Sequence, residues 1–525
     1  MSLVDVNQAT GGDAPRRGRR SKRGASPTGK RESARKTNYS QLKNPFAPVP
    51  LFSEDRIEAI HETSLRVLEE LGIKVLLPEA RELYRKAGAV VHDDTNMVHI
   101  GREIIEATLA TAPKSFEMVA GRPEHNLTME LGSLTIQTGG AAPHANDLVR
   151  GRRPGSLQDY TELTRLTQKF DALHMLNPLV EAQDIPIHVR HYAVTRTQLT
   201  VGDKLPFIFS RGTPQVRDAF EMIRIARGVS EEDFSKSVYT WTIVNTNSPR
   251  VLDVPMAQGL IDFARAGQMS IVTPFCLMGA MAPISIAGAL TLSHAEALAG
   301  IALVQLAKPG APVCYGSFQS NVDMKSGAPV FGTPEHFKAT LAAGQMARKL
   351  GLPWRAGGGS AGNCNDAQAA HETQMSVWGA VLAGATIIIH AAGWLEGGLT
   401  VHYEKLITDM EAMQVFAELC ANTPSDDAEL AFDAIADVAP SGHFFATGHT
   451  MERYQTAFYE PLVADWSNFG TWTERGSKDV NERATALWQR MLAEEDEVFL
   501  DPARTEELDA FIAKRTDDGG APPES

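Results

Sequence analysis

Over residues 53–71, SEDRIEAIHETSLRVLEEL, apolar side chains return at helical spacing: Ile57, Ile60, Leu65, Leu68 and Leu71 share one face. Ser53 stands where a cap belongs, acids fill the first turn, and Gly72 stops the run. Segments 78–87 and 101–112 show the same habit, which predicts a helical N-terminal extension over 45–132. From 133 to 398 the pattern changes to short apolar runs alternating with helical stretches. The runs fall at 134–137, 172–176, 206–209, 238–244, 270–275, 312–318, 354–357 and 385–390. Their starts lie about 31 to 42 residues apart, the interval of a βα unit with a moderate loop. Eight such units predict an α/β chain folded as a (β/α)8 TIM barrel. A doubly wound sheet shares this periodicity, but it would more often carry a P-loop string, which is absent; a GxGxxG match occurs only within the glycine run, at 357–362. The stretch 399–513 reads as a helical C-terminal region, with helices at 408–421, 450–465, 478–494 and 503–514.

Charge separates the ends from the body. Residues 1–44 hold eleven Lys/Arg against three acids, while the whole chain has a formal net charge of −14. With few apolar residues to offset the entropy of ordering, 1–44 is expected to be a disordered basic tail, and 514–525 a second disordered tail. The basic run also admits contact with a nucleic acid or an acidic partner, but the acidic body argues against a nucleic-acid enzyme surface. The four cysteines, Cys276, Cys314, Cys364 and Cys420, are 38, 50 and 56 residues apart, too far for a zinc or redox pair. No apolar run reaches the length of a membrane span, and the first residues lack the order of a secretory signal. The expectation is a cytoplasmic protein without membrane partners.

In a barrel the chemistry sits just past the strand ends. Those positions read Thr138 to Gly140, Asn177, Ser210, Arg211, Asn245, Asn247, Cys276, Met278, Ser317, Gln319, Asn321, Asp323, Gly357 to Ser360, His390, Gly393, Trp394 and Glu396. Most are glycine, small or amide. None is a lysine placed for a Schiff base, no two carboxylates face each other, and no His/Asp set is spaced to hold a metal. Such a chain supplies shape, amides and aromatic faces while another molecule carries the reactive centre.

Three strings give that reading a family. GSFQSNVDMKSGAPVFGTPEH (316–336), LGLPWRAGGGSAGNCNDAQAAHE (350–372) and HAAGWLEGGLTVHYEKLITDMEAM (390–413) resemble the trimethylamine methyltransferase family, including its members without pyrrolysine that act on quaternary amines. The resemblance covers about 53–500. It implies a (β/α)8 barrel that moves a methyl group from an amine to the cobalt of a corrinoid held by a separate protein. Members specific for trimethylamine carry pyrrolysine after a Gly-Gly pair. The matching position here is Gly359, or Gly358 on a shift of one. The electrophile that would form an adduct with a tertiary amine is therefore missing, and the expected donor is a quaternary amine such as glycine betaine.

A quaternary ammonium needs only to be held with one methyl in line, because it departs as a neutral amine. Aromatic faces can hold it, each at about 0.5 to 2 kcal/mol. Candidates are Tyr315, Phe318, Trp354, Trp394 and Tyr403, each of which also reads as a core aromatic. A betaine carboxylate would need donors, for which Gln319, Asn321, Arg211 and the amides of the glycine run are available. The candidate catalytic set is Gly359, Asn321, Asp323 and His390; the substrate-binding set is Phe318, Gln319, Tyr315, Trp354, Trp394, Glu396, Arg211 and Gly358. His390 also reads as a core histidine, and Asp323, Asp366 and Glu396 as loop caps. No DxHxxG cobalt-ligand string occurs, so the corrinoid is expected on a partner protein and no cofactor is expected on this chain. The resemblance further implies a homo-oligomer. The competing readings are a tertiary-amine methyltransferase, a non-catalytic protein that binds methylamines or corrinoid partners, and an RNA-associated protein acting through the basic tail.

Overall fold

The structure is a computed structural model, which describes residues 38–495 and 497–523. The expected tail at 1–37 lies outside those residues. At its centre a parallel sheet joins Ser133–Ile136, Ile387–Ile389, Trp354–Gly357, Val313–Gly316, Met269–Val272 and Trp241–Val244, in that order. Two further runs complete the set of expected strand positions as extended segments with single bridges. Met175 bridges Leu205 and Phe207 bridges Trp241, both in the parallel sense. The His174 N–H donates to the Ile136 carbonyl at 3.1 Å. Helices follow these segments, among them Leu157–Gln168, Thr213–Arg227, Val254–Ala266, Ile286–Ala307, Pro334–Leu350 and Ala367–Leu382. The chain is thus α/β, and its strand positions follow the apolar runs read from the sequence.

The period of two in each strand sorts side chains between two surfaces. On one side Trp241, Met269, Ile271, Cys314, Ile387 and Ile389 pack with Met175, Leu205 and Phe207. On the other, Val244, Val272, Val313, Tyr315, Trp354, Ala356 and Ile388 pack against the helices. Burial on both surfaces is why the strands read as unbroken apolar runs. Helix Ile286–Ala307 is long and apolar enough to cross a membrane by composition, yet most of it is buried inside the fold. Its apolar residues face helices and strands all round, as a core helix requires.

Four segments differ from the sequence pattern. The N-terminal extension, expected to be helical, also holds strands Ile73–Val75, Val90–His92 and Met97–His99, which build a small sheet with Val251–Leu252. At three residues each they are shorter than the window in which alternation becomes visible. In the C-terminal region only Gly448–Arg453 is helical where 450–465 was expected, and Pro461 in that run cannot continue a helix. The two expected tails are also partly ordered. Leu42–Lys43 pairs antiparallel with Leu134 and Ser133. At the other end helix Pro502–Asp517 runs on, and Ala521 is buried with its N–H on the His188 carbonyl.

Candidate active site

A cavity of about 390 Å³ opens at the carboxyl ends of the central strands, a size in the small-molecule range of about 300 to 1,000 Å³. Its wall includes Phe207, Phe209, Phe275, Phe318, Trp394, His390 and Arg355, with Gly140, Ala141, Asn177, Ser210 and Asn245 around them. Among the described residues none in the lining is acidic. The cavity is therefore aromatic and cationic, which is unusual for a site expected to take a positively charged nitrogen.

The glycine run is the seat of two of these rings. Strand Trp354–Gly357 turns Gly357 toward the interior, where a β-carbon would lie 2.3 Å from Phe318 Cε2. One ring of aromatic carbon occupies the volume that any larger residue would need. Gly359, at φ +111°, lies under the Trp394 indole, whose Cε3 would be 2.9 Å from an added β-carbon. Gly398 meets the same indole, 2.5 Å from Cζ2 and from Nε1 on that construction. Trp394 is thus held between two glycine backbones. Phe318 stacks on Phe331, ring centres 5.4 Å apart, and tilts against Trp394 at 5.8 Å and His390 at 5.5 Å. His390 itself has a positive φ of 67° and lies 3.5 Å from Trp394 between ring centres.

Carboxylates fix the loops that carry these residues. Glu372 accepts from the Ser360 hydroxyl at 2.8 Å and from the Ala361 and Gly362 N–H groups at 2.8 and 3.0 Å. Asp409 accepts from the Gly393 N–H at 2.9 Å and pairs with Lys405 at 2.7 Å, and Lys405 also donates to Thr373. Asp366 caps helix Ala367–Leu382 through the Gln368 and Ala369 N–H groups. The turn before that helix is therefore held from both sides.

Electrostatics in the cavity centre on Arg355. It is buried, 2% exposed, with its guanidinium carbon 4.7 Å above the Phe318 ring. Nη1 donates to Thr273 Oγ1 at 3.2 Å, while Nε has no hydrogen-bond partner. Burial pulls its pKa down to about 9, so it remains protonated at neutral pH. His390 is held well below its ordinary pKa, by burial first and by Arg355 second, and is neutral at pH 7. His390 Nδ1 and Trp394 Nε1 also lack partners.

The residues proposed from sequence divide into two groups. Phe318, Trp394, His390 and Arg211 line the cavity together, and Gly358 and Gly359 underlie it. Arg211 is tied to Glu181, however, and its guanidinium lies 4.1 Å over Phe209. Tyr315 and Trp354 are elsewhere, because strand alternation turns them to the helix layer. The Tyr315 hydroxyl meets His294 Nδ1 at 3.1 Å, and the Trp354 indole donates to the Gly384 carbonyl at 2.8 Å. Gln319 donates to Ser293 while its buried Oε1 has no partner, Asn321 accepts from Thr333, Asp323 caps the turn at Ser326, and Glu396 pairs with Arg152. Tyr403 donates to Glu162 outside the cavity. Hydrogen bonds to Ser326 and Lys325 hold the Asp323 pKa below its usual range, as expected of a turn cap. Sequence reasoning did not single out Arg355, Phe275, Phe207 or Phe209. Arg355 had a signal: it is the lone charge in an apolar four-residue strand, at a position whose parity opposes the helix-facing Trp354.

The strand-end cavity thus combines aromatic walls, a glycine backbone beneath them and, among the described residues, no carboxylate in its lining. The chain matches the family model described as trimethylamine methyltransferase over residues 16–520. It is 34% identical over 467 residues to glycine betaine methyltransferase of Desulfitobacterium hafniense strain Y51, an alignment covering 89% of this chain and 97% of that one. Identity is 28% over 439 residues to the trimethylamine methyltransferase MttB of D. hafniense DCB-2, across 82% and 87% of the two chains. It is 29% over 436 residues to MttB1 of Methanosarcina mazei, across 82% and 88%. The chain belongs to the trimethylamine methyltransferase family and is a methyltransferase.

Proposed function

We propose that this protein transfers a methyl group from a quaternary amine of the glycine betaine type to the Co(I) of a corrinoid carried by a separate protein. The observation that carries the reading is the Trp394 indole lying on the Gly359 backbone. At the position matched to pyrrolysine the chain offers no side chain to form an adduct, and the space above is filled. A donor that arrives already alkylated to a cation needs no such group. Its nitrogen takes the bonding electron pair as the methyl leaves, and the released amine is neutral at that nitrogen.

The chain's own residues then act by position. Phe318, Trp394 and Phe275 offer faces to the methylated nitrogen, and neutral His390 adds a fourth ring without competing charge. Glu372 and Asp409 hold the loops so that these faces do not drift, which is the orientation term of catalysis. The corrinoid, when docked, supplies the nucleophile. Short side chains at Gly140, Ala141 and Ser210 suit the approach of a planar macrocycle to the mouth.

Two structural readings accompany the function. The single bridges at 175 and 207, with the His174 N–H on Ile136, support closure of the parallel sheet into an eight-stranded barrel. The C-terminal region, 399–513, presents Phe432, Phe445, Phe458, Trp466 and Phe469 to solvent. So many exposed aromatics in one segment support a contact with a second copy.

The test is product analysis. The protein, a Co(I)-reduced corrinoid protein and glycine betaine, followed by proton NMR, are expected to yield one dimethylglycine per Co(I) consumed. Equal turnover of trimethylamine would contradict the proposal and favour the tertiary-amine reading.

A further inference from the structure

We propose that the Arg355 guanidinium is the carboxylate anchor of this cavity, the group by which the protein selects a zwitterionic betaine over methylated amines that carry only positive charge. The inference rests on reading the site as a quaternary-amine methyltransferase centre. It goes further by assigning the substrate's anionic half to one residue.

A buried arginine is normally matched by a carboxylate or a full set of acceptors, because an uncompensated charge away from water is costly. Arg355 has neither. Among the described residues no carboxylate lies within ion-pair distance of it, Thr273 is its one side-chain acceptor, and Nε is unsatisfied. The other cavity arginine, Arg211, shows the usual arrangement, paired with Glu181. With no acidic residue in the lining, the cavity holds a net positive field. That field opposes entry of trimethylammonium or choline and favours a ligand with a carboxylate.

The guanidinium lies 4.7 Å over Phe318, whose ring centre is 5.8 Å from that of Trp394 and 5.5 Å from that of His390. A carboxylate held by Arg355 would therefore share the cavity with the aromatic wall that is available to its cationic end. The free Trp394 Nε1 and His390 Nδ1 lie on that wall. Fork-shaped guanidinium donors suit a planar carboxylate better than an ammonium would.

The test is calorimetric binding of glycine betaine and choline to the full chain, without corrinoid, for the wild type, Arg355→Met and Arg355→Lys. The wild type is expected to bind glycine betaine at least about tenfold more tightly than choline. Arg355→Met should weaken betaine binding about 10- to 100-fold, the worth of a charge-assisted hydrogen bond, and leave choline unchanged or tighter. Arg355→Lys should recover part of the loss. Thermal melting reports folding, and Arg355→Met should melt no lower than the wild type, since it removes an uncompensated buried charge. Betaine affinity kept within about twofold in Arg355→Met, or equal binding of choline and glycine betaine by the wild type, overturns the proposal. So does no binding of glycine betaine to the wild type. Binding is read apart from transfer. Betaine held through Arg355 with no methyl transferred would refute the methyltransferase reading alone, and equal transfer from choline would refute the anchor alone.

Discussion

Gly359 carries two constraints at once, a positive φ and an indole where its side chain would be. A β-carbon there is strained whatever the space, and here it also meets Trp394 at 2.9 Å. Gly359→Ala is expected to cost about 1 to 3 kcal/mol in stability, from strain and overpacking together, and to lower methyl transfer by displacing the ring. Urea unfolding and single-turnover transfer check the two parts; an unchanged transfer rate would show that the indole position does not matter. His390 gives a second expectation at this scale. Its pKa is held well below the ordinary value, so it stays neutral from pH 6 to 8. The rate of transfer should show no histidine inflection across that window, and a break near pH 6.5 would mean that His390 titrates in the cycle.

Among the elements, the two loops that carry the site are each held by a carboxylate, Glu372 for one and the buried Asp409 for the other. Asp409 and Lys405 form a buried pair, and leaving one partner without the other costs about 3 to 5 kcal/mol. Lys405→Met is expected to destabilise the protein by about that amount, and Lys405→Met with Asp409→Leu by less than Lys405→Met alone. Melting of the three proteins decides it, and additive losses would contradict the account. This is also the scale at which the sequence was most legible. Every central strand coincides with an apolar run, because burial on both faces writes itself into composition. The site was legible only where glycine or a strand end marked it, as at Phe318, Gly359, His390 and Trp394. Tyr315 and Trp354 were drawn into the candidate set because strand position, without parity, does not say which face a side chain takes. Arg355 was overlooked because its role rests on what does not surround it, and absent partners appear only in three dimensions. Asn321, Gln319 and Asp323 belong to a local turn and strand network, a use that polar residues in loops share with catalytic ones.

For the whole molecule, buried histidines set a limit on the acid side. His174 and His336 have pKa values pulled down to about 4 by burial, and His294 lies well below its ordinary value. Because the folded pKa is below the unfolded one, the unfolded chain takes up protons first as pH falls. Stability is then full above about pH 6.5 and lost progressively toward pH 4. Melting temperatures should fall across that interval, and a flat profile would place these histidines in contact with water. The central claim concerns what the assembled cavity accepts. Its most direct test follows the Co(I) absorbance of a reduced corrinoid protein mixed with this chain and, in separate cuvettes, glycine betaine, choline and trimethylamine. The account predicts loss of the Co(I) band with glycine betaine, little with choline and none with trimethylamine; loss with trimethylamine as fast as with glycine betaine would contradict it.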